Sequence, residues 1–292
     1  MTDDYQLVEL KNGSRTLYSA RYGEKMHPGL GPQAEAEQLY VRQLQLCERM
    51  QRATDEFVVW DIGLGGAANA ITLLRATAGI AGRLRLVSFD NTSEPLEFAL
   101  NNSGSLNYLS GYENAAGELL RDRRVNFANA QLAVNWEFYL ADFPELLKAG
   151  GATLKSIAPP HAIFYDAFSP AKNPAMWTLP VFQNLFRALD PARPCALTTY
   201  SRSTMIRATL LLAGFFVGTG LATGMKEETT IAANDLSLVK QPLDARWLER
   251  AARSDSAAPL LQPVYHREKL SPALLAALHT HPQFVGQAKS KL

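Results

Sequence analysis

The chain has 292 residues, with 29 Lys and Arg against 28 Asp and Glu and a formal net charge of +1. Its two cysteines, Cys47 and Cys195, exclude a disulfide framework and a thiolate zinc site. The five histidines show no metal-binding spacing, so we expect no metal. The acidic start lacks a signal peptide, and no run of about 18 apolar residues occurs, which predicts a cytoplasmic protein that does not enter the membrane.

The first part of the chain predicts a hairpin followed by a helix. Residues 5–18 form two strand-like runs around Asn12-Gly13, a pair that tolerates the positive φ angles of a type I′ turn. After a loop rich in Gly and Pro, the apolar spacing over residues 34–51 predicts a helix. We assign residues 1–56 to an N-terminal hairpin and helix packed on the core.

From Phe57 onwards, short apolar runs alternate with helical patterns, which predicts a parallel sheet with crossover helices. The predicted strands span residues 57–60, 85–90, 136–140, 162–165 and 195–200, and the clearest helices span residues 67–76 and 204–213. Gly214 is placed to end the second helix in a left-handed conformation. We assign residues 57–240 to this domain.

Two further strands, 215–218 and 228–232, lie so close in sequence that they must be antiparallel. This places a reversed strand at the end of the parallel sheet. A polar stretch, 103–124, has the composition of an insertion. Residues 241–292 form a C-terminal extension that we expect to dock through Trp247, Leu248 and Phe284.

Ligands of open α/β sheets bind at the carboxyl ends of the strands. A glycine turn, Gly63-x-Gly65, follows the first predicted strand, and three later strands end in the carboxylates Asp90, Asp142 and Asp166. The glycines permit a tight turn that a ligand can approach, and Asp90 is placed to accept hydrogen bonds from ribose hydroxyls. A cofactor that contains a nucleoside is therefore predicted.

The glycine turn alone leaves two cofactors open, because it also satisfies the dinucleotide pattern G-x-G-x-x-A. Three features favour S-adenosylmethionine: Asp61 before the first glycine, Asp142 where an adenine edge fits, and the reversed final strand. Asp61 can accept a hydrogen bond from the ammonium group of that cofactor, directly or through water. A pyrophosphate would gain nothing from this carboxylate.

Several runs resemble the MnmC-like tRNA methyltransferases, in the stand-alone form without the flavin-dependent oxidase half. They are residues 61–69 (DIGLGGAAN), 136–142 (WEFYLAD), 165–177 (YDAFSPAKNPAMW) and 198–201 (TTYS). The resemblance spans about residues 5–235. It implies a class I, Rossmann-like methyltransferase sheet with a reversed terminal strand, plus the N-terminal hairpin and helix. The implied activity is transfer of a methyl group from S-adenosylmethionine to the 5-aminomethyl group of a wobble uridine in the tRNA anticodon loop.

The resemblance also implies roles for individual residues. Asp166 is the expected catalytic carboxylate, which accepts a proton or a hydrogen bond from the substrate amine. The cofactor is expected to bind Asp61, Gly63, Gly65, Asn69, Asp90 and Asp142. The substrate is expected to bind Phe168, Lys172, Asn173, Trp177, Tyr200 and Lys226. The three aromatic rings can stack on a splayed base, the lysines can face phosphates, and Asn173 can hydrogen-bond a base or orient the loop.

Other interpretations stay open on the sequence alone. An Asp at a strand end often only caps a turn or helix, a Trp is more often a core residue than a stacking surface, and lysines are commonly just solvated. The balanced charge also permits a small amine-bearing metabolite as the substrate in place of tRNA. A protein that binds the cofactor without catalysis is the third possibility, and a dehydrogenase the last.

Overall fold

In this computed structural model, which describes residues 4–223 and 227–285, the strands form a small sheet and a large one. The strands are β1 (Tyr5–Glu9), β2 (Arg15–Ser19), β3 (Glu24–Lys25), β4 (Phe57–Ile62), β5 (Gly82–Asp90), β6 (Arg124–Asn129), β7 (Leu132–Leu140), β8 (Ala162–Tyr165), β9 (Ala196–Thr199), β10 (Phe216–Gly220) and β11 (Thr229–Ala233). The small sheet has the order β1-β2-β3, and the large sheet has the order β10-β11-β9-β8-β4-β5-β7-β6.

Helices cover both faces of the large sheet. The α-helices are α1 (Pro32–Ala36), α2 (Leu46–Arg52), α3 (Ala68–Thr77), α4 (Glu94–Asn101), α5 (Glu113–Asp122), α6 (Phe143–Ala149), α7 (Ala152–Ser156), α8 (Leu179–Ala188), α9 (Thr204–Ala213), α10 (Ala245–Arg253), α11 (Pro272–His279) and α12 (Pro282–Val285). A π-helix spans Glu37–Arg42, and short 3₁₀ helices span Ser103–Ser105, Asn107–Leu109, Pro174–Trp177 and Leu236–Leu238.

The large sheet has the predicted architecture. Strands β9, β8, β4, β5 and β7 are parallel neighbours, which brings their carboxyl ends to one edge. The last strand in the chain, β11, runs antiparallel to both β9 and β10, between which it lies. The predicted reversed terminal strand is therefore confirmed, inserted one place in from the edge. Gly214 has a φ of +111° and ends α9 as expected.

The structure corrects two parts of the sequence-based description. The expected single helix over residues 34–51 is broken, because Gln45 takes a left-handed conformation with a φ of +51° between the π-helix and α2. The polar stretch 103–124 is more than an insertion: it contains α5, which buries Ala116 and Leu119. It leads into β6, an unpredicted strand antiparallel to β7 at the second edge of the sheet.

The C-terminal extension packs on the core. Trp247, Leu248 and Phe284 are at most 5% exposed, as expected, and Gln283 hydrogen-bonds the backbone of Val217 and Leu243. The division of the chain at residues 56 and 240 stays a prediction. Among residues 4–223 and 227–285, no helix has both the length and the apolar character needed to cross a bilayer.

Candidate active site

A cavity of roughly 450 Å³ lies at the carboxyl edge of β4, β5, β7 and β8. This size suits a small organic ligand, since ligand sites commonly measure about 300–1,000 Å³. Its walls include six of the predicted cofactor and catalytic residues, with Asp61 the exception: Gly63, Gly65, Asn69, Asp90, Asp142 and Asp166. The convergence of these residues follows from the parallel order of the strands that carry them.

The glycine turn forms the floor of the cavity. Gly63 has a φ of +93°, and a Cβ placed on it would lie 2.7 Å from the backbone oxygen of Asp166. A side chain at this position would therefore collide with the neighbouring loop. Ala67 adopts a left-handed conformation with a φ of +63°, and α3 begins at the next residue.

Asp90 and Asp142 lie on the cavity wall at the ends of β5 and β7. One Asp90 oxygen, Oδ2, accepts a hydrogen bond from the Gly65 backbone N–H at 3.0 Å, and Oδ1 accepts one from Thr92. Burial raises the pKa of the Asp90 carboxyl, and these backbone hydrogen bonds partly offset the increase. Asp142 caps α6 through the backbone N–H of Glu145. Both carboxylates are thus fixed at the edge where a nucleoside would bind.

Asp61 is fully buried beneath the turn and is absent from the cavity wall. Its expected contact with the ammonium group of the cofactor, directly or through water, stays a prediction. Its Oδ2 accepts a hydrogen bond from Ser88, whose hydroxyl oxygen in turn accepts one from Trp136. Burial raises the pKa of the Asp61 carboxyl to about 8, and the nearby charges of Asp166 and Asp90 add to the increase. Its Oδ1 is buried and has no hydrogen-bond partner among the described residues.

Asp166 is surrounded by polar side chains from three parts of the chain. Asn69 donates a hydrogen bond from Nδ2 to Asp166 Oδ2 at 2.7 Å, and His27 places Nε2 at 3.7 Å from the same oxygen. Burial, followed by the charge of Asp166, raises the pKa of the Tyr40 and Tyr200 phenols well above the ordinary value. Asn69, expected only at the cofactor, thus also orients the predicted catalytic carboxylate.

The loop after Asp166 is held by the N-terminal segment. The rings of Tyr22 and Phe168 stack with centroids 4.1 Å apart. The Glu24 carboxylate accepts hydrogen bonds from both the backbone N–H and the hydroxyl of Ser169. Phe168 and Ser169 line the cavity with Tyr22 and Glu24, so two distant parts of the sequence build one wall.

Trp177 does not line the cavity, contrary to the predicted stacking role. It is fully buried, packs edge-on against Tyr165 and donates a hydrogen bond from its indole N–H to the backbone oxygen of Phe168. Its place is in the apolar core beneath the loop. From there it can support the loop but cannot stack on a substrate.

The other predicted substrate residues are placed differently from one another. Asn173 and Tyr200 line the cavity, and the Tyr200 hydroxyl donates a hydrogen bond to the backbone oxygen of Ala167. Lys172 is exposed and does not contribute to the cavity wall. Lys226 lies outside the residues that the structure describes.

The sequence-based analysis assigned no site role to residues 22–27, most of which it placed in the loop rich in Gly and Pro. Tyr22, Glu24, Met26 and His27 all line the cavity. A usable signal was present, because aromatic, acidic and imidazole side chains are unusual together in a loop otherwise rich in Gly and Pro.

The residues present fit the expected cofactor. The glycine turn offers an open backbone surface. Within the part of the chain that the structure describes, Asn69 Oδ1 is buried at the cavity without a hydrogen-bond partner, as an acceptor for an ammonium group would be. Asp90 lines the cavity, where its carboxylate can accept hydrogen bonds from ribose hydroxyls. These groups match the amino-acid and ribose parts of S-adenosylmethionine.

Comparison with known proteins agrees with this chemistry. Residues 113–235 match a family described as S-adenosyl-L-methionine-dependent methyltransferase. The chain is 27% identical over 254 residues to the tRNA 5-methylaminomethyl-2-thiouridine biosynthesis bifunctional protein MnmC of Aeromonas hydrophila, covering 82% of this chain and 37% of that protein. The MnmC protein of Stutzerimonas stutzeri is 26% identical over 266 residues, which cover 86% of this chain and 38% of the relative. This chain thus spans less than two fifths of these curated relatives.

Two solved structures show the fold. The crystal structure of MNMC2 from Aquifex aeolicus matches with a TM-score of 0.65 at 22% identity, over 94% of this chain and 82% of that one. Spermidine synthase from Thermotoga maritima matches with a TM-score of 0.51 at 11% identity, over 94% of this chain and 79% of the other. Both likenesses cover the N-terminal part as well as the large sheet.

The sheet order, the cavity and the matched family define a class I, Rossmann-like methyltransferase that uses S-adenosylmethionine. This sets aside the dinucleotide alternative. Within that class, the chain is related to the bifunctional MnmC proteins.

Proposed function

We propose that the chain is an N-methyltransferase that acts on the 5-aminomethyl group of a wobble uridine in tRNA, with Asp166 as the carboxylate that receives the amine. The names of the relatives concern the synthesis of 5-methylaminomethyl-2-thiouridine in tRNA, and the product of the proposed reaction carries this methylaminomethyl group. Because the chain covers only part of those relatives, this substrate is our inference.

One observation carries the proposal: the Asp166 loop lies directly against the glycine turn. A Cβ at Gly63 would approach the Asp166 backbone oxygen to 2.7 Å, which leaves no space between turn and loop, and both residues line one cavity. A methyl donor seated on the turn would therefore lie within reach of an acceptor held at Asp166. Such positioning is the main requirement of a direct displacement.

The charges of the cavity favour a cationic acceptor. Five carboxylate side chains line it, and Lys25 is the lone lysine or arginine on the wall within the described part of the chain. The five are Glu24, Glu35, Asp90, Asp142 and Asp166. An alkylammonium group would be attracted into this cavity and lose its proton at Asp166 before reacting.

We assign the remaining residues as follows. The methyl donor lies on the backbone of Gly63 and Gly65. Asp90 accepts hydrogen bonds from its ribose hydroxyls, and Asp142 contacts its adenine edge. Asn69 Oδ1 accepts a hydrogen bond from its ammonium group. Bound S-adenosylmethionine supplies a methyl carbon on a sulfonium, which an amine lone pair can attack in line. Phe168, Asn173 and Tyr200 contact the base. We place the reaction in the cytoplasm, where unpaired thiols such as Cys47 and Cys195 persist.

The test offers the purified protein bulk tRNA that contains 5-aminomethyluridine, together with S-adenosylmethionine labelled in the methyl group. We expect label in the tRNA, recovered as 5-methylaminomethyluridine by nucleoside mass spectrometry. Asp166→Asn should reduce the rate by a factor of about 10² or more, as for loss of a general base. Asp255→Asn is the matched control, because this carboxylate is 86% exposed and pairs with Lys269 at the surface; the rate of this variant should equal that of wild type.

A small amine-bearing metabolite is the second candidate, favoured by the net charge of +1, which shows no basic excess for a phosphate backbone. Label that enters only a small-molecule fraction would support it and remove tRNA as the substrate. Binding of the donor without transfer to either fraction would favour the non-catalytic alternative.

A further inference from the structure

His27 lies deep in the cavity, and its Nε2 has no hydrogen-bond partner among residues 4–223 and 227–285. The residue is 9% exposed, and Nε2 is buried. This nitrogen faces Asp166 Oδ2, at 3.7 Å. An unpaired buried nitrogen is costly unless it has a role, so its position requires an explanation.

Asn69 holds Asp166 Oδ2 through a hydrogen bond. Its amide already donates to that oxygen at 2.7 Å, which keeps the carboxylate turned towards His27. The separation of 3.7 Å between Nε2 and Oδ2 is too long for a hydrogen bond. A neutral imidazole with its lone pair facing an ionised carboxylate would keep such a distance. Once the carboxyl carries a proton, an O–H···N hydrogen bond can form and shorten it.

The proposed reaction releases a proton from the substrate ammonium group, and Asp166 and His27 are placed to accept it. An alkylammonium must lose one proton before its nitrogen can attack. The imidazole of a histidine is the side chain that most often acts as a general acid or base in enzymes.

The other groups around Asp166 are poor proton acceptors. The raised pKa values of Tyr40 and Tyr200 keep both phenols protonated. Glu24 is engaged by Ser169, and Glu35 accepts hydrogen bonds from the backbone of residues 29 and 30. Compared with these four groups, His27 is the one that places a ring nitrogen near the carboxylate, and a ring nitrogen can accept a proton.

We propose that His27 is the positioning and proton-accepting partner of Asp166, an assignment that rests on the proposed amine methylation. An N–H bond of the substrate ammonium breaks as an O–H bond forms on Asp166. That O–H bond then breaks as an N–H bond forms at His27 Nε2. The substrate is left as a neutral amine, Asp166 is ionised again, and the imidazolium releases the proton to solvent after turnover.

The test compares His27→Ala and His27→Gln with the wild-type protein, using methyl transfer to the substrate identified above. We expect kcat to fall by a factor of about 10², while the Kd for S-adenosylhomocysteine changes less than threefold. Added imidazole should restore activity to His27→Ala, and across a series of substituted imidazoles the rescued rate should rise with their basicity. His279→Gln is the matched control, because His279 is exposed at the end of α11.

The outcomes separate this assignment from the proposed function. Wild-type protein that methylates no amine would overturn both. Active wild-type protein, with His27→Gln equally active, would overturn the His27 assignment alone. The His27 assignment would also be wrong if the variants lost kcat and the affinity for S-adenosylhomocysteine together. It would likewise be wrong if the rescued rate did not depend on the basicity of the added imidazole. A purely structural role of His27 would produce those results.

Discussion

The buried carboxyl of Asp61 predicts a specific dependence of stability on pH. Its pKa is raised from the ordinary 3.8 to about 8 in the folded chain, chiefly by burial. The folded state therefore retains a proton that the unfolded state loses above pH 4. The contribution of this group to stability is complete below pH 4 and is lost as the pH rises towards 8. Asp61→Asn imitates the neutral acid and removes this loss.

The size of the effect follows from proton linkage. Where the folded state binds one proton more than the unfolded state, the free energy of unfolding falls by about 1.4 kcal/mol per pH unit. Between pH 5 and pH 8, the stability of Asp61→Asn relative to wild type should therefore rise by up to about 4 kcal/mol. Taking the difference between the two proteins cancels carboxylates that titrate alike in both.

Urea unfolding of both proteins at pH 5, 6, 7 and 8 measures this difference. Asp235→Asn serves as a control, since the hydrogen bonds from Ser237 lower the pKa of the half-buried Asp235; this variant should not reproduce the rising difference. A difference between Asp61→Asn and wild type that is flat over this range would refute the account. It would mean that Asp61 is ionised in the folded protein at pH 5.

Three further predictions concern the turn and the loop above it. Gly63→Ala should abolish binding of S-adenosylhomocysteine in calorimetry, because its Cβ meets backbone at 2.7 Å, whereas Gly79→Ala, with nothing within 4 Å, should bind normally. Trp177→Phe should lower the free energy of urea unfolding by about 2 kcal/mol through the lost indole hydrogen bond and the smaller ring; an unchanged midpoint would contradict its core position. Tyr22→Leu should cost about 1 kcal/mol by removing the stack on Phe168, seen as a fall in Tm of about 2 °C. A Tm equal to that of wild type would show that the stack contributes nothing.

Much of the large sheet could be predicted because its strands and helices are encoded locally. The bounds of β8 and α9 follow directly from a short apolar run and from the glycine after the helix. The reversed β11 could be inferred from the short connection to β10. The break at Gln45 could not, since nothing in its own side chain favours a left-handed conformation and the surrounding packing imposes it.

For the site, the sequence located the strand ends but not the side-chain environments. Asp166 and Asp90 line the cavity because they lie at the carboxyl ends of parallel strands, where open sheets of this kind bind ligands. Asp61 and Trp177 are buried because of neighbours contributed by distant segments, which the chain order does not reveal. The place of His27 could not be predicted for the same reason: its closeness to Asp166 depends on how the N-terminal sheet folds over the turn.

The hydrogen bond from Ser169 to the Glu24 carboxylate joins residues 145 positions apart in the chain. A nascent polypeptide that has formed only its first strands therefore lacks a complete active site, because the loop after Asp166 is still missing. Activity therefore requires that the N-terminal segment and the loop after Asp166 have both folded and packed together. Any fragment that stops short of the Ser169 loop, or that discards the first two dozen residues, should be inert even where its remaining strands fold.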